Sequence, residues 1–248
     1  MATLAVLNKR DSGAEKMSKV SKLVLALWLF WPTLGLADFK AGVAALERGE
    51  FATALSEFRP LAKTGDANSQ NLLGFMHANG FGMPGDDQQA LKWYRLAAAQ
   101  GQAKSQYSLG VMYANGTGVP ADLAEAVKWF RLSADQGDAG AQSNLGVLYK
   151  NGQGVAQDKT EAARWFHMAA MQGDTTAQHN LAGMYYTGEG VPEDSVRAYA
   201  WITLASAKGD ELTMRGKDII RQRMTPAQID DAHKVSYVLC ATIPNCAQ

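Results

Sequence analysis

The chain is poor in the residues that usually carry chemistry or covalent bracing. Of its 248 residues only 2 are cysteines and 4 are histidines. Charge of one sign is missing as well, since 24 basic residues are matched by 24 acidic ones. That balance leaves no electrostatic footprint for DNA or RNA, which a basic face would provide. The apolar stretch from Leu23 to Leu36 holds 14 residues, short of the roughly 20 that a membrane-spanning helix needs. Global disorder is excluded in turn by a hydrophobic content of 47%, ordinary for a folded chain.

The first 37 residues stand apart from the rest. Lys19 and Lys22 precede an apolar run, Pro32 breaks it, and Gly35-Leu36-Ala37 follows. A basic start, a short apolar core and a small-x-small site have the form of a secretory signal peptide over 1–37, with cleavage after Ala37 and a mature start at Asp38. An uncleaved anchor is the alternative, and the polar residues before Met17 point to Met17 as the start. Removing 1–37 takes away 5 basic and 2 acidic side chains and leaves 19 against 22, a mildly acidic chain expected in the periplasm or outside the cell. Cys240 and Cys246, close together in an exported chain, suit one disulfide. A reduced pair or a metal site are the alternatives, although two thiols without a nearby histidine do not complete a zinc shell.

What the chain does have is a step of 36 residues. Trp93, Trp129, Trp165 and Trp201 keep it, as do Leu73, Leu109, Leu145 and Leu181. Gly80, Gly116, Gly152 and Gly188 follow the same step, and so do Asp86, Asp122, Asp158 and Asp194. A fixed period in this range means stacked supersecondary units. In the unit 103–138, Gln106, Leu109, Gly110 and Tyr113 have helical spacing and run into the helix stop at Asn115-Gly116. Asp122 then caps a second helix, with Glu125 completing a capping box, and Asp158 with Glu161 repeats it. Ala126, Trp129, Phe130 and Ala134 form the second apolar stripe, which Gly137 ends. Each unit is thus an antiparallel helix pair. Gly74, Gly110 and Gly146, with Ala182 in the fourth copy, mark where two helices approach closely, and the tryptophans are expected to fill those gaps.

The stretch from Ala103 to Asp122, followed by Ala126, Trp129 and Ala134 to Gly137, resembles the Sel-one-like repeat, a relative of the tetratricopeptide repeats. The resemblance covers four copies, 67–102, 103–138, 139–174 and 175–210. It implies an all-α, right-handed α-solenoid that serves as a protein-binding scaffold and, in bacteria, is often exported. Residues 38–66 look like a tetratricopeptide-like hairpin turning at Gly49-Glu50. Residues 211–248 read as capping helices with a cysteine-containing tail, the last helix starting at Thr225-Pro226-Ala227-Gln228. Solenoids need such caps at their ends.

Little points to catalysis. The Gly-x-Gly stretches follow helices rather than strands and lack the lysine of a phosphate loop. One aspartate per turn is too few for calcium. His77 stands where the other copies have tyrosine, His167 falls on an outer surface, and His179 and His233 lack a companion at metal spacing. Cysteine-rich members of the family have been linked to binding or hydrolysing β-lactam-like compounds, but the four repeats here contain no cysteine. No cofactor, metal or catalytic residue is therefore expected. A hydrolase or binding protein for cell-wall or β-lactam-like compounds is the alternative to a non-catalytic scaffold.

A partner surface is sought where the copies differ. Asn68, Lys104, Gly140 and Thr176 vary, as do Asn71, Tyr107, Ser143 and His179. Phe75, Val111, Val147 and Gly183 vary in turn, and so do Ala78, Ala114, Lys150 and Tyr186. Within each first helix these positions recur at i, i+3, i+7 and i+10, which is one face. First helices line the concave side of tetratricopeptide-like solenoids. The candidate partner-binding residues are therefore Asn71, Phe75, Tyr107, Val111, Ser143, Val147, Lys150, His179 and Tyr186, with Phe75 alternatively packed on the N-terminal hairpin. The expected partner is a protein or peptide, bound by a monomer that keeps no stable membrane insertion once its signal is cleaved.

Overall fold

The computed structural model describes residues 36–207, 211–244 and 246. The segment read as an export signal lies outside the described residues except for Leu36 and Ala37, which open the first helix. Among the described residues there are α-helices and no strands, and no helix is long and apolar enough to cross a membrane. The chain divides into two compact units, up to Gln102 and from Ala103 onward. The first holds α1 (Leu36–Glu47), α2 (Phe51–Lys63), α3 (Ala67–Asn79) and α4 (Asp87–Ala99). The second holds α5 (Ala103–Asn115), α6 (Leu123–Asp135), α7 (Ala139–Asn151), α8 (Lys159–Ala170), α9 (Thr175–Thr187), α10 (Ser195–Ser206), α11 (Glu211–Arg221) and α12 (Pro226–Thr242).

Helix starts follow the aspartates. The Asp86, Asp122, Asp158 and Asp194 side chains each accept from the backbone N–H three residues on, at 2.9–3.0 Å, which satisfies an otherwise orphaned donor. The expected capping boxes are only half made. The cap N–H groups of Asp122 and Asp158 donate instead to the Tyr113 and Tyr149 carbonyls at 2.8 and 3.0 Å, so the glutamates have no backbone donor to reach back for. Glu125 turns forward to Lys128 and Glu161 to Arg164, each at 2.7 Å. Thr225 and Gln228 do form the complete box.

Two helices of a pair meet where one has no side chain. A Cβ on Gly110 would lie 2.5 Å from the Phe130 ring, on Gly146 2.6 Å from Phe166, and on Gly74 2.7 Å from Tyr94. The gaps are thus filled not by the tryptophans but by the residue after each of them. In the fourth pair Ala182 and Ile202, both buried, stand at these positions; the added methyl is matched by a smaller filler. The tryptophans point about 100° further round, since one helical residue advances by that angle. Trp165 and Trp201 are buried there while Trp93 and Trp129 are half-buried, and the Trp201 ring meets His167 of the neighbouring second helix edge-on at 6.0 Å.

Successive pairs are latched by buried glutamines. In the second unit the Gln142 amide donates to the Ala134 carbonyl at 3.1 Å, and its carbonyl accepts from Gln172 at 2.8 Å. Gln178 repeats the first bond to Ala170 at 3.2 Å. In the first unit Gln70 makes both, to Ala62 at 3.0 Å and from Gln100 at 2.8 Å. A buried amide left unpaired costs roughly 1–3 kcal/mol, so the bond pair explains why glutamine recurs. The second glycine of each Gly-x-Gly turn has an equally local reason. Gly154 and Gly190 have φ of 70° and 74°, and a side chain on either would run into the backbone at Leu123 or Lys159.

The C-terminal tail is pinned. Cys240 and Cys246 form a disulfide around Ile243, which is buried and lies 3.4 Å from where a Cβ on Gly173 would stand. Closing a loop this small contributes about 2 kcal/mol. Replacing both cysteines by serine should lower unfolding stability by that amount, and added reductant should do the same to the native protein, both read by denaturant titration. Gly110→Ala should cost about 1–3 kcal/mol by overpacking. Gly183→Ala, at an exposed helical site whose Cβ would meet nothing within 4 Å, should stabilise by about 0.4–1 kcal/mol.

Candidate functional site

The variable face of the first helices is only partly open. In the first unit Asn71 is buried. Phe75 is half-buried and meets Phe81 edge-on at 5.6 Å, which stacks on Phe51 at 4.6 Å. Phe75 thus packs into an aromatic group with the N-terminal hairpin, the alternative placement for that residue.

In the second unit most candidate side chains tie one first helix to the next. Lys104 of α5 meets Asp138, the cap of α7, at 2.6 Å. Ser143 is buried and donates to Asp174, the cap of α9, at 3.1 Å. Lys150 reaches Asn180 at 3.3 Å. The His179 Nδ1 lies 3.3 Å from the Thr213 hydroxyl of α11, and the Arg223 guanidinium sits 5.1 Å over the Tyr186 ring. Tyr107 packs on Phe130 at 5.9 Å between centroids and lies 3.0 Å from where a Cβ on Gly140 would stand. A large residue in one copy is thus answered by a missing side chain in the next, so part of the variation between copies is pairing between neighbours.

Two candidates are corrected by this geometry. Asn71 and Ser143 carry the right helical spacing but face the seam between helices, where burial leaves no side chain for a partner. Spacing assigns a face without saying how closely the next helix covers it. Val111, Val147, Lys150 and Tyr186 remain half-exposed, with the edge of Tyr107 beside them.

Burial pushes the Tyr107 hydroxyl up to about 12, with the negative charges of Asp138 and Asp174 adding to it and a hydrogen bond with Asn144 opposing it. Its folded value lies above the ordinary 10, so its contribution to stability is intact below pH 10 and is lost as pH rises toward about 12. In an ultraviolet titration one tyrosine should ionise last, near that pH or together with unfolding, and Tyr107→Phe should remove the late step.

Chemistry does not converge on this face. Thr213 and His179 bring a hydroxyl to an imidazole, but Thr213 is buried in the contact between α9 and α11. Among the described residues no three histidine, cysteine, aspartate or glutamate side chains gather as metal ligands. A cleft of 430 Å³ does open elsewhere, between α11 and α12, with Tyr199 of α10 in its lining. Apart from Tyr199, its lining lies past the fourth copy, beyond the positions where the copies can be compared.

Antiparallel helix pairs stacked through repeated latches define an α-solenoid of the tetratricopeptide-related class. The Sel1 repeat model matches residues 67–102, 103–138, 139–174 and 175–210, and the chain belongs to the Sel1 repeat family. Such proteins generally act as protein-interaction scaffolds and are typically non-catalytic. The chain is similar to a protective antigen of uropathogenic Escherichia coli with this repeat fold, at 30% identity and a TM-score of 0.76. The match covers 92% of this chain and 49% of that one, so this chain spans about half the length of that relative. A Sel1 repeat protein from Oxalobacter formigenes is 28% identical at a TM-score of 0.65, over 78% of this chain and 83% of that one. A structure from Klebsiella pneumoniae shares the fold at 19% identity and a TM-score of 0.50, over 83% of this chain and 99% of that one. No curated protein matches the chain.

Proposed function

We propose that the protein is a non-catalytic interaction scaffold, exported to the periplasm or secreted, which binds an extended segment of a partner protein along the first-helix face of α5, α7 and α9. The observation that carries this reading is the concentration of difference on that face. Capping, latching and close-approach positions recur from copy to copy, whereas one position on this face reads Phe75, Val111, Val147 and Gly183 and another Ala78, Ala114, Lys150 and Tyr186. Val111, Val147, Lys150 and Tyr186 stay half-exposed. Export is supported by the basic, apolar and small-residue order of the first 37 residues, and by the Cys240–Cys246 disulfide, a bond that persists in oxidising compartments.

A photocrosslinking residue placed at Val147 or Tyr186 in the native envelope should give a discrete adduct. The same residue at Leu132, 48% exposed on a second helix, should not. Adducts arising equally from all three positions, or only from Leu132, would show that the partner does not use the first-helix face. Fractionation with intact-mass measurement tests export separately. The expected product is extracytoplasmic and begins at Asp38; a cytoplasmic product, or one keeping residues 17–37, contradicts that part of the proposal.

A further inference from the structure

The 36-residue step does not stop at residue 210. Continued once more, it places α11 as the first helix of a fifth pair, and the burial pattern agrees. Thr213 and Ile220 are buried where Ala177 and Met184 are buried one step earlier. The side of α11 that should fill the pair's interior has been exchanged. Gln70, Gln106, Gln142 and Gln178 give way to Met214, and the four buried leucines to Lys217. Gly74, Gly110, Gly146 and Ala182 give way to Asp218, and Tyr113, Tyr149 and Tyr185 to Arg221.

A carboxylate at the close-approach position keeps a second helix from seating there. In the structure α11 and α12 each pack on α10 while making little contact with one another. The unfilled interior of this pair is the 430 Å³ cleft, and all four exchanged residues line it. That size falls within the range of small-ligand pockets.

Two cations enter the cleft from one face of α11 at i and i+4. Lys217 holds its ammonium 5.5 Å over the Tyr199 ring, and the His233 ring of α12 lies 5.7 Å from that same ring. Met214 and Ile229 supply apolar wall. Among the described residues neither Lys217 nor Arg221 forms an ion pair, and Asp218 is the single acidic group in the lining. Burial holds the Lys217 ammonium below its usual range, with Arg221 adding to this and Asp218 opposing it. A terminal cap needs polar groups on its outward surface, and Arg215, Asp230, Asp231 and Lys234 already provide them there, all exposed. Capping calls for charge on the outward surface and does not account for Lys217, Asp218 and Arg221 gathered around the cleft, where Asp218 and Arg221 are exposed and Lys217 is half-buried.

We propose that the opened pair of α11 and α12 is a binding cleft for a carboxylate carried on a small apolar body, either the free end of a peptide or a free acid. The carboxylate sits between Lys217 and Arg221, and the apolar body lies over Tyr199 against Met214 and Ile229. This site is independent of the first-helix face.

Calorimetric titration of the intact protein with N-acetyl-leucyl-leucine, its C-terminal amide and decanoate tests the assignment. Saturable binding of the peptide acid or of decanoate is expected, with the amide at least about tenfold weaker, because charge-assisted hydrogen bonds are lost. Binding of the peptide acid alone identifies a chain end as the source; binding of decanoate alone identifies a free amphiphile. Lys217→Gln and Arg221→Gln should each weaken the acid about tenfold, with thermal melts confirming that both remain folded. The double variant Lys217→Leu with Asp218→Gly restores the repeat pattern, and it should abolish binding while raising the melting temperature. Silence from both acids, equal binding of acid and amide, or full binding by the restored variant would each overturn the proposal.

Discussion

The packing of a ring against a helix that lacks a side chain is the contact on which this structure depends. Phe130 over Gly110 and Phe166 over Gly146 set how closely two helices of a pair can lie. Little else in the unit is free once that separation is set. The turn between the helices must be short, which calls for glycines there. The second glycine of the turn then lies against the start of the preceding second helix, so pair geometry and stacking geometry are coupled. The buried glutamines close the system by joining carbonyls of one pair to amides of the next. Because each copy must meet its neighbour in the same way, the whole set of residues repeats with one step.

The Ala182 and Ile202 pair shows that the requirement is one of volume rather than of residue type. A methyl is added on one helix and an aromatic ring is exchanged for a branched chain on the other, and both residues stay buried. Dense packing tolerates such exchanges when the total volume is kept.

The helix pairs, their caps and their boundaries were legible in the sequence because periodicity and capping are local signals. Which aromatic fills the gap was not. Tryptophan keeps its position in all four copies while its neighbour reads Tyr94, Phe130, Phe166 and Ile202, so constancy points to the wrong residue of the two; only the angle around the helix tells them apart. The candidate face was legible in its direction but not in its depth. Asn71 and Ser143 share a stripe with Val111 and Val147, yet the first two are buried, since neighbouring first helices cover one flank of the stripe and leave the other open. The missing half of the capping box has a similar origin, since the Asp122 N–H is already taken by the Tyr113 carbonyl of the preceding helix.

Repetition also hid the one place where the pattern carries information by failing. Four copies keep the same residues, and α11 has the form of an ordinary amphipathic cap whose departure from the repeat shows only in register with the 36-residue step. Counted through, Asp218 falls where Gly110 and Gly146 stand. The effect is then physical rather than statistical. A carboxylate in that position needs water or a cation, a second helix cannot exclude both, and so the pair stays open with Lys217 and Arg221 facing the space. In a solenoid whose closed pairs leave no room for a ligand, binding space arises either on the face that no second helix covers or where the close approach is deliberately prevented. Here the first is the half-exposed stripe of α5, α7 and α9, and the second is the place where Met214, Lys217, Asp218 and Arg221 stand in for the residues that close the other pairs.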